Sequence, residues 1–298
     1  MPYATTLDGS KFHYTIPPKQ INGAHEVHED PNKPFLIMLH PRVLDSTFFE
    51  PQFQDERLLA HYNMIAIDHH FHGLSKISLD GGPYDYWKSA RDLLAVLDAL
   101  QIGRCHILGA QMGALLVLRM AILDPNRFLS IILSPVPPPI DLLPNLREYR
   151  GMRDDCRATM ENEENEEDTF RPMLEAGRWA YYGSFRQGTS KNWLEHTNFR
   201  PSNPAYVEKI FSSLIDRDKI ADEDWEKIDG HPVLILEGGQ YFWPIAPSTS
   251  NITYDKLSKA QRTIKFIDGA PHMVSRTHAH VVNPIIADFL DAQESRRK

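Results

Sequence analysis

The chain has 298 residues, 42% hydrophobic and 24% charged, with 32 basic against 40 acidic residues and a net charge of -8. That length allows one large core, or a core with a small extra domain. The acidic balance excludes a general affinity for nucleic acid or an anionic membrane surface, since both need a basic face.

The chain opens without the basic region and apolar run of a signal peptide. No stretch approaches the ~18 uninterrupted apolar residues of a membrane helix. Two cysteines, Cys105 and Cys156, cannot make a disulfide framework. A reducing, cytoplasmic setting is therefore expected. Cys105 lies in an apolar run and reads as core.

"YATTLDGSKFHYTI" reads as a hairpin turning at Asp8-Gly9. Strands and helices then alternate. The apolar runs at 34–40, 63–69, 104–110, 128–134, 231–238 and 262–269 are strands. Each is apolar on both faces, as a strand buried between two helix layers must be. Residues 84–102 place Ala90, Leu93, Leu94, Leu97 and Leu100 on one helical face. A helix over 112–125 starts at a Gly-rich turn and ends before a proline. The last helix, 278–292, contains Pro284, which is expected to kink or split it.

The alternation breaks between about Ile140 and Gly230, after the cluster "SPVPPP". This excursion is too long for a loop. It carries Trp179, Tyr181, Tyr182, Phe185, Trp193, Phe199, Tyr206 and Phe211. It reads as a helical cap over residues 140–230, set between core segments 1–139 and 231–298. The run "ENEENEED" within it reads as a solvated or disordered loop. The fold class is α/β: a three-layer, mostly parallel sheet with an inserted helical cap.

Five segments carry a resemblance: "MLHPR" (38–42), "IDHHFHGLS" (67–75), "GAQMG" (109–113), "PVLILEGG" (232–239) and "DGAPHMV" (268–274). In this order and spacing the chain resembles the α/β-hydrolase superfamily over nearly its whole length. The resemblance implies a strand-to-helix elbow at Gly109–Gly113 and a backbone oxyanion hole. The hole would be made by the N–H groups of Arg42 and Met112. It also implies a histidine at His272, entering the same pocket as the elbow as acid or base.

The chain departs from the family at two legs of the triad. Gln111 stands where the nucleophilic serine is expected, and a primary amide cannot form an acyl-enzyme. No Gly-x-Ser-x-Gly occurs anywhere in the chain. Tyr241, after Gln240, stands where the acid is expected; Asp141 and Glu237 are the alternatives. A conventional Ser-His-Asp hydrolase is thereby excluded.

Gln at positive φ is costly, so its amide either has a use or is a relic of a lost serine. Arg42 is either a cation for an anionic substrate or a solvated surface arginine. His40, Tyr241, Trp179 and Tyr182 are expected in the pocket. His69, His70 and His72 lack the partner spacing of a metal site, and no metal or cofactor is expected. Two readings follow. One is an enzyme acting on a small, mainly apolar carbonyl compound by non-covalent acid–base chemistry. Direct-water hydrolysis, elimination, isomerisation and cyclisation would all fit. In it His272 is the acid or base, and Gln111 orients the substrate or donates to an oxyanion. The other is a pseudoenzyme that binds a small ligand or a protein partner through the same cavity. The oligomeric state stays open.

Overall fold

The computed structural model describes residues 2–18, 21–22, 26–27, 30–42, 44–78, 84–138, 143–161, 204–239 and 249–297. The hairpin forms as expected. Strands β1 (Tyr3–Thr5) and β2 (Lys11–Thr15) pair antiparallel, and the turn takes Gly9 to φ 82°, a conformation glycine enters without steric penalty. Strands β3 (Ile21–Asn22) and β4 (Glu26–Val27) form a separate two-stranded sheet.

The main sheet has eight strands in the order β1-β2-β6-β5-β7-β8-β9-β10. Here β5 is Phe35–Leu39, β6 Asn63–Ile67, β7 Cys105–Gly109, β8 Phe128–Leu133, β9 Pro232–Gly238 and β10 Gln261–Ile267. From β6 to β10 every pairing is parallel. The described α-helices are α1 (Glu50–Phe53), α2 (Glu56–His61), α3 (Tyr86–Ala99), α4 (Met112–Leu123), α5 (Leu143–Glu161), α6 (Pro204–Ile215), α7 (Asp222–Trp225), α8 (Thr249–Lys256), α9 (Val274–Thr277) and α10 (Ala279–Ser295).

Alternation along the strands builds two cores. Ile37, Leu39, Ile107 and Ile131 face one way and pack with Leu93 and Leu97 of α3 and Leu116 of α4. Leu36, Met38, Leu108 and Ile132 face the other way, toward Leu58 of α2 and Ile286 and Leu290 of α10. This is the three-layer, mostly parallel α/β sheet that the sequence pattern predicts.

One expectation needs correcting, and at Pro284 one of two alternatives is ruled out. Strand β10 is not buried on both faces: it is the sheet edge, and Phe266 is 48% exposed. Lys265 and Arg262 on the same strand suit that edge, where charge discourages pairing with another chain. Pro284 does not split the last helix, which runs unbroken over Ala279–Ser295. Proline removes the hydrogen bond to the carbonyl four residues earlier, here that of His280. His280 is exposed, so water can serve that carbonyl.

Asp68 ties the loop after β6 to its neighbours. It accepts from His13 Nδ1 at 2.7 Å, the Ser46 N–H at 2.7 Å and the Leu74 N–H at 3.0 Å. Burial pushes this carboxyl up, but those hydrogen bonds outweigh burial and hold it below its usual value. Gly73 packs so close that a Cβ there would stand 2.1 Å from Asp68 Oδ2. Within the interval read as the cap, α5 and α6 are joined by Arg157 and Glu208, 3.3 Å apart. Tyr206 of α6 reaches the Ile77 carbonyl at 3.2 Å. Residues 162–203 lie outside the described residues, and with them Trp179, Tyr181, Tyr182, Phe185, Trp193 and Phe199.

Candidate active site

The elbow forms where the sequence predicts it. Strand β7 runs into α4 through Gln111 at φ 51°, ψ −109°. The flanking glycines are required by close approach. A Cβ on Gly109 would meet the Gly113 carbonyl oxygen at 2.4 Å, and one on Gly113 the Leu39 carbonyl oxygen at 2.1 Å. The backbone at Gln111 costs roughly 1–3 kcal/mol of strain. Its amide N–H donates to Pro135 O at 2.9 Å, which pins the turn against the end of β8.

The side chain of Gln111 is buried and folds back on its own turn. Its Oε1 accepts from the Met112 N–H at 2.7 Å and from the Arg42 N–H at 3.1 Å. These are the two backbone donors expected to form the oxyanion hole. They do converge on one oxygen, at distances suited to an oxyanion. The oxygen they hold belongs to Gln111 itself. At most ~1 kcal/mol from each hydrogen bond offsets part of the backbone strain. The amide thus serves the hole as an acceptor, and only its Nε2 can act as a donor.

The second leg comes from the far side of β8. Strand β9 ends at Glu237-Gly238, and a Cβ on Gly238 would stand 2.2 Å from the Pro271 carbonyl oxygen. That approach brings the loop after β10 against the strand end. His272 Nδ1 lies 3.4 Å from Glu237 Oε1, with both side chains buried. The Ser250 hydroxyl of α8 donates to the other oxygen, Glu237 Oε2. Of the two acids open in the sequence, Glu237 is the one found beside His272. Asp141 and Tyr241 lie outside the described residues. The two legs meet through the Ser134-Pro135 turn. Pro135 accepts from Gln111 N, and the Ser134 hydroxyl is hydrogen-bonded to that of Ser275, three residues beyond His272.

Arg42 is not a solvated surface arginine. It is 8% exposed, and its guanidinium lies 4.8 Å over the Tyr149 ring of α5. The planar cation gains from the face of the ring, and α5 covers the oxyanion loop there.

His40 is fully buried beneath that loop. Its ring stacks on His69 at 3.8 Å between centroids, and His72 meets His69 edge-on at 4.4 Å. Each ring has a backbone carbonyl that fixes its proton. His40 Nδ1 donates to Pro41 O at 2.7 Å, His69 Nε2 to His40 O at 3.0 Å, and His72 Nδ1 to His70 O at 2.6 Å. Burial, then the neighbouring imidazoles, pushes His40 and His72 well below the ordinary value. Burial holds His69 down at about 4. His70 turns away to Asp92, at 2.8 Å. Among the described residues no group of three or more His, Cys, Asp or Glu could hold a metal ion.

These neutral imidazoles set an acid limit on stability. His69 titrates near 6.5 when unfolded and about 4 when folded. Below pH ~6.5 the unfolded chain binds a proton that the folded chain refuses. Stability is therefore full above that pH and falls as pH drops toward 4. For His69 alone the loss reaches on the order of 3 kcal/mol. His106, at the other end of β7, is also held at about 4 by burial and falls over the same window. Urea midpoints measured from pH 7 to 4.5 should decline steadily; a flat profile would contradict the assignment. Cys105 is buried in β7, and burial pushes its thiol up to about 12, so it is inert at neutral pH.

Comparisons with known proteins agree with this fold. The family model for the alpha/beta hydrolase fold matches residues 34–154. A putative carbamate hydrolase, RutD, of Variovorax paradoxus (strain S110) is 32% identical over 109 residues. That match covers 37% of this chain and 40% of the relative. RutD of Pantoea ananatis (strain LMG 20103) is 32% identical over 85 residues, 28% of this chain and 30% of the relative. The chain thus spans well under half the length of either relative. The enol-lactonase of Burkholderia xenovorans LB400 superposes with a TM-score of 0.76 at 18% identity, covering 97% of this chain and 100% of that one. A thermophilic esterase of Thermogutta terrifontis gives 0.77 at 17%, covering 98% of each. At that identity the structural matches speak for the fold. Among the described residues no helix is long and apolar enough to cross a membrane.

Proposed function

We propose that this chain, which has the α/β-hydrolase fold, acts on a small, mainly apolar carbonyl compound by non-covalent acid–base catalysis. The observation that carries the reading is the buried pair of His272 and Glu237, 3.4 Å apart, with Ser250 holding the second carboxylate oxygen. Burying a carboxylate is expensive unless it is paired and hydrogen-bonded. Here the carboxylate orients an imidazole. Glu237 favours the proton on Nδ1 of His272, which leaves the Nε2 lone pair as the base.

In the proposed chemistry Nε2 takes a proton from a water or from the substrate, and Glu237 stabilises the imidazolium that forms. Gln111 acts through Nε2, as a donor that orients the substrate. Its carbonyl oxygen is held by two N–H groups, which polarises the amide and strengthens that donor. Residues 140–230 form the cap in this reading, with residues 1–139 and 231–298 as the core. Arg42 over Tyr149 supports contact between the two.

The names of the relatives supply the first compounds to try: carbamates and enol lactones. Wild type should turn over a member of such a panel, and Glu237→Gln should lower kcat by at least tenfold. A fluorophosphonate probe should label no serine. A labelled serine, or a Glu237→Gln variant as active as wild type, would overturn the reading. One observation favours a ligand-binding pseudoenzyme instead: Gln111 already fills the hole. That reading expects saturable binding of a panel compound with no turnover by any form of the protein.

A further inference from the structure

We infer that the cleft at the start of β10 binds a small molecule bearing a phosphomonoester, held by Arg262 and Arg296. This cleft stands apart from the proposed active site. His272 follows the end of β10, whereas the cleft lies at the first residues of that strand. Strand β10 is the sheet edge, and among the described strands none pairs with its outer side. A cleft of about 500 Å³ reaches from Tyr254 of α8, past Gln261, Arg262 and Thr263 of β10, to Phe289 of α10 and Arg296 just beyond it. That volume is ordinary for a small-molecule site.

No aspartate or glutamate is among the described residues that line the cleft, although acids outnumber bases 40 to 32 along the chain. Two guanidiniums thus share one cleft without a lining carboxylate. That of Arg262 lies 4.0 Å over the Tyr254 ring, which holds it in place. Its Nη1 is shut off from water and has no hydrogen-bond partner among the described residues. A donor of that kind is costly to leave unpaired. Arg296 Nη1 donates to two neutral side-chain oxygens, those of Gln261 at 3.1 Å and Gln293 at 3.5 Å. An anionic oxygen is the stronger acceptor and would replace them. Each planar fork fits two oxygens of one anion, so two forks match a group with several oxygens and two negative charges. A phosphomonoester is such a group near neutral pH. Thr263 supplies a hydroxyl donor, and half-buried Phe289 an apolar wall for the organic part of the ester.

The test reads binding, not turnover. Wild type labelled with ¹⁵N would be titrated at about pH 8, above the second phosphate pKa of about 6, with phenyl phosphate and with benzoate. Phenyl phosphate should shift the Arg262 and Thr263 amide signals saturably. It should bind roughly tenfold more tightly than benzoate, which brings a single charge. Arg296 is exposed at a helix end, so Arg296→Gln should fold as wild type does. It should weaken phenyl phosphate roughly tenfold, as should Arg262→Lys, which keeps the charge but loses the fork. Arg104→Gln, which removes an exposed arginine just before β7, should leave binding unchanged. No saturable shift in wild type would overturn the inference. So would equal binding of the two probes, or undiminished binding by either Arg296→Gln or Arg262→Lys. A loss in Arg104→Gln as large as that in Arg296→Gln would also overturn it, since net charge alone would then account for binding.

Discussion

Replacing His272 by alanine is expected to lower kcat by a factor of roughly 10²–10⁴, with KM little changed. The imidazole is buried and lies beside Glu237. The single variant also strands a buried carboxylate with Ser250 as its remaining hydrogen-bond donor on this leg. It should therefore lose stability, by about 1–3 kcal/mol. The double variant His272→Ala/Glu237→Gln removes the stranded charge. It should recover most of that stability and be no slower than His272→Ala, because the two residues act as one unit. Steady-state rates with a turned-over panel compound, and urea midpoints, check both halves. Unchanged turnover in His272→Ala would remove this residue from the mechanism.

Gly113→Ala should be the most damaging small change on the scaffold. The new Cβ would stand 2.1 Å from the Leu39 carbonyl oxygen, 2.6 Å from its carbon and 2.9 Å from the His40 carbonyl oxygen. All three are backbone atoms, so no side chain can swing aside. Either α4 or the end of β5 must move. We expect a loss of about 3 kcal/mol or more. Gly103→Ala is the control, since nothing lies within 4 Å of its Cβ position. It should stay within about 0.5 kcal/mol of wild type. Equal urea midpoints for the two variants would show that α4 is not seated as described. A displaced α4 would also carry Gln111 Oε1 away from the Arg42 N–H.

The carbamate hydrolase and enol-lactonase likenesses bear on where to begin screening, and the self-filled hole bears on what to expect. A site that builds charge on a substrate oxygen gains most when its donors are vacant and aimed at that oxygen. Here both donors are engaged by Gln111 Oε1.

Much of this molecule is legible in its sequence, for local reasons. Apolar runs of strand length, amphipathic helices and the Gly-x-x-x-Gly turn depend on neighbours along the chain. They placed the sheet, the elbow and the loop that carries His272. Strand exposure was misread at β10 because an edge strand and a central one can have similar composition; only the sheet order separates them. Of the two outcomes open at Pro284, a split does not occur: the helix runs through it.

The residues at 109–113 determined that there is an elbow and that no acyl-enzyme can form on Gln111, because those follow from glycine's size and an amide's chemistry. Tertiary structure alone decided where the amide oxygen lies and that Glu237 stands beside His272. Whether Oε1 meets Arg42 depends on a loop 69 residues away. Whether Glu237 meets His272 depends on how closely Pro271 can pass over Gly238. Such contacts are set by the packing of strands distant in sequence, and local patterning carries no trace of them.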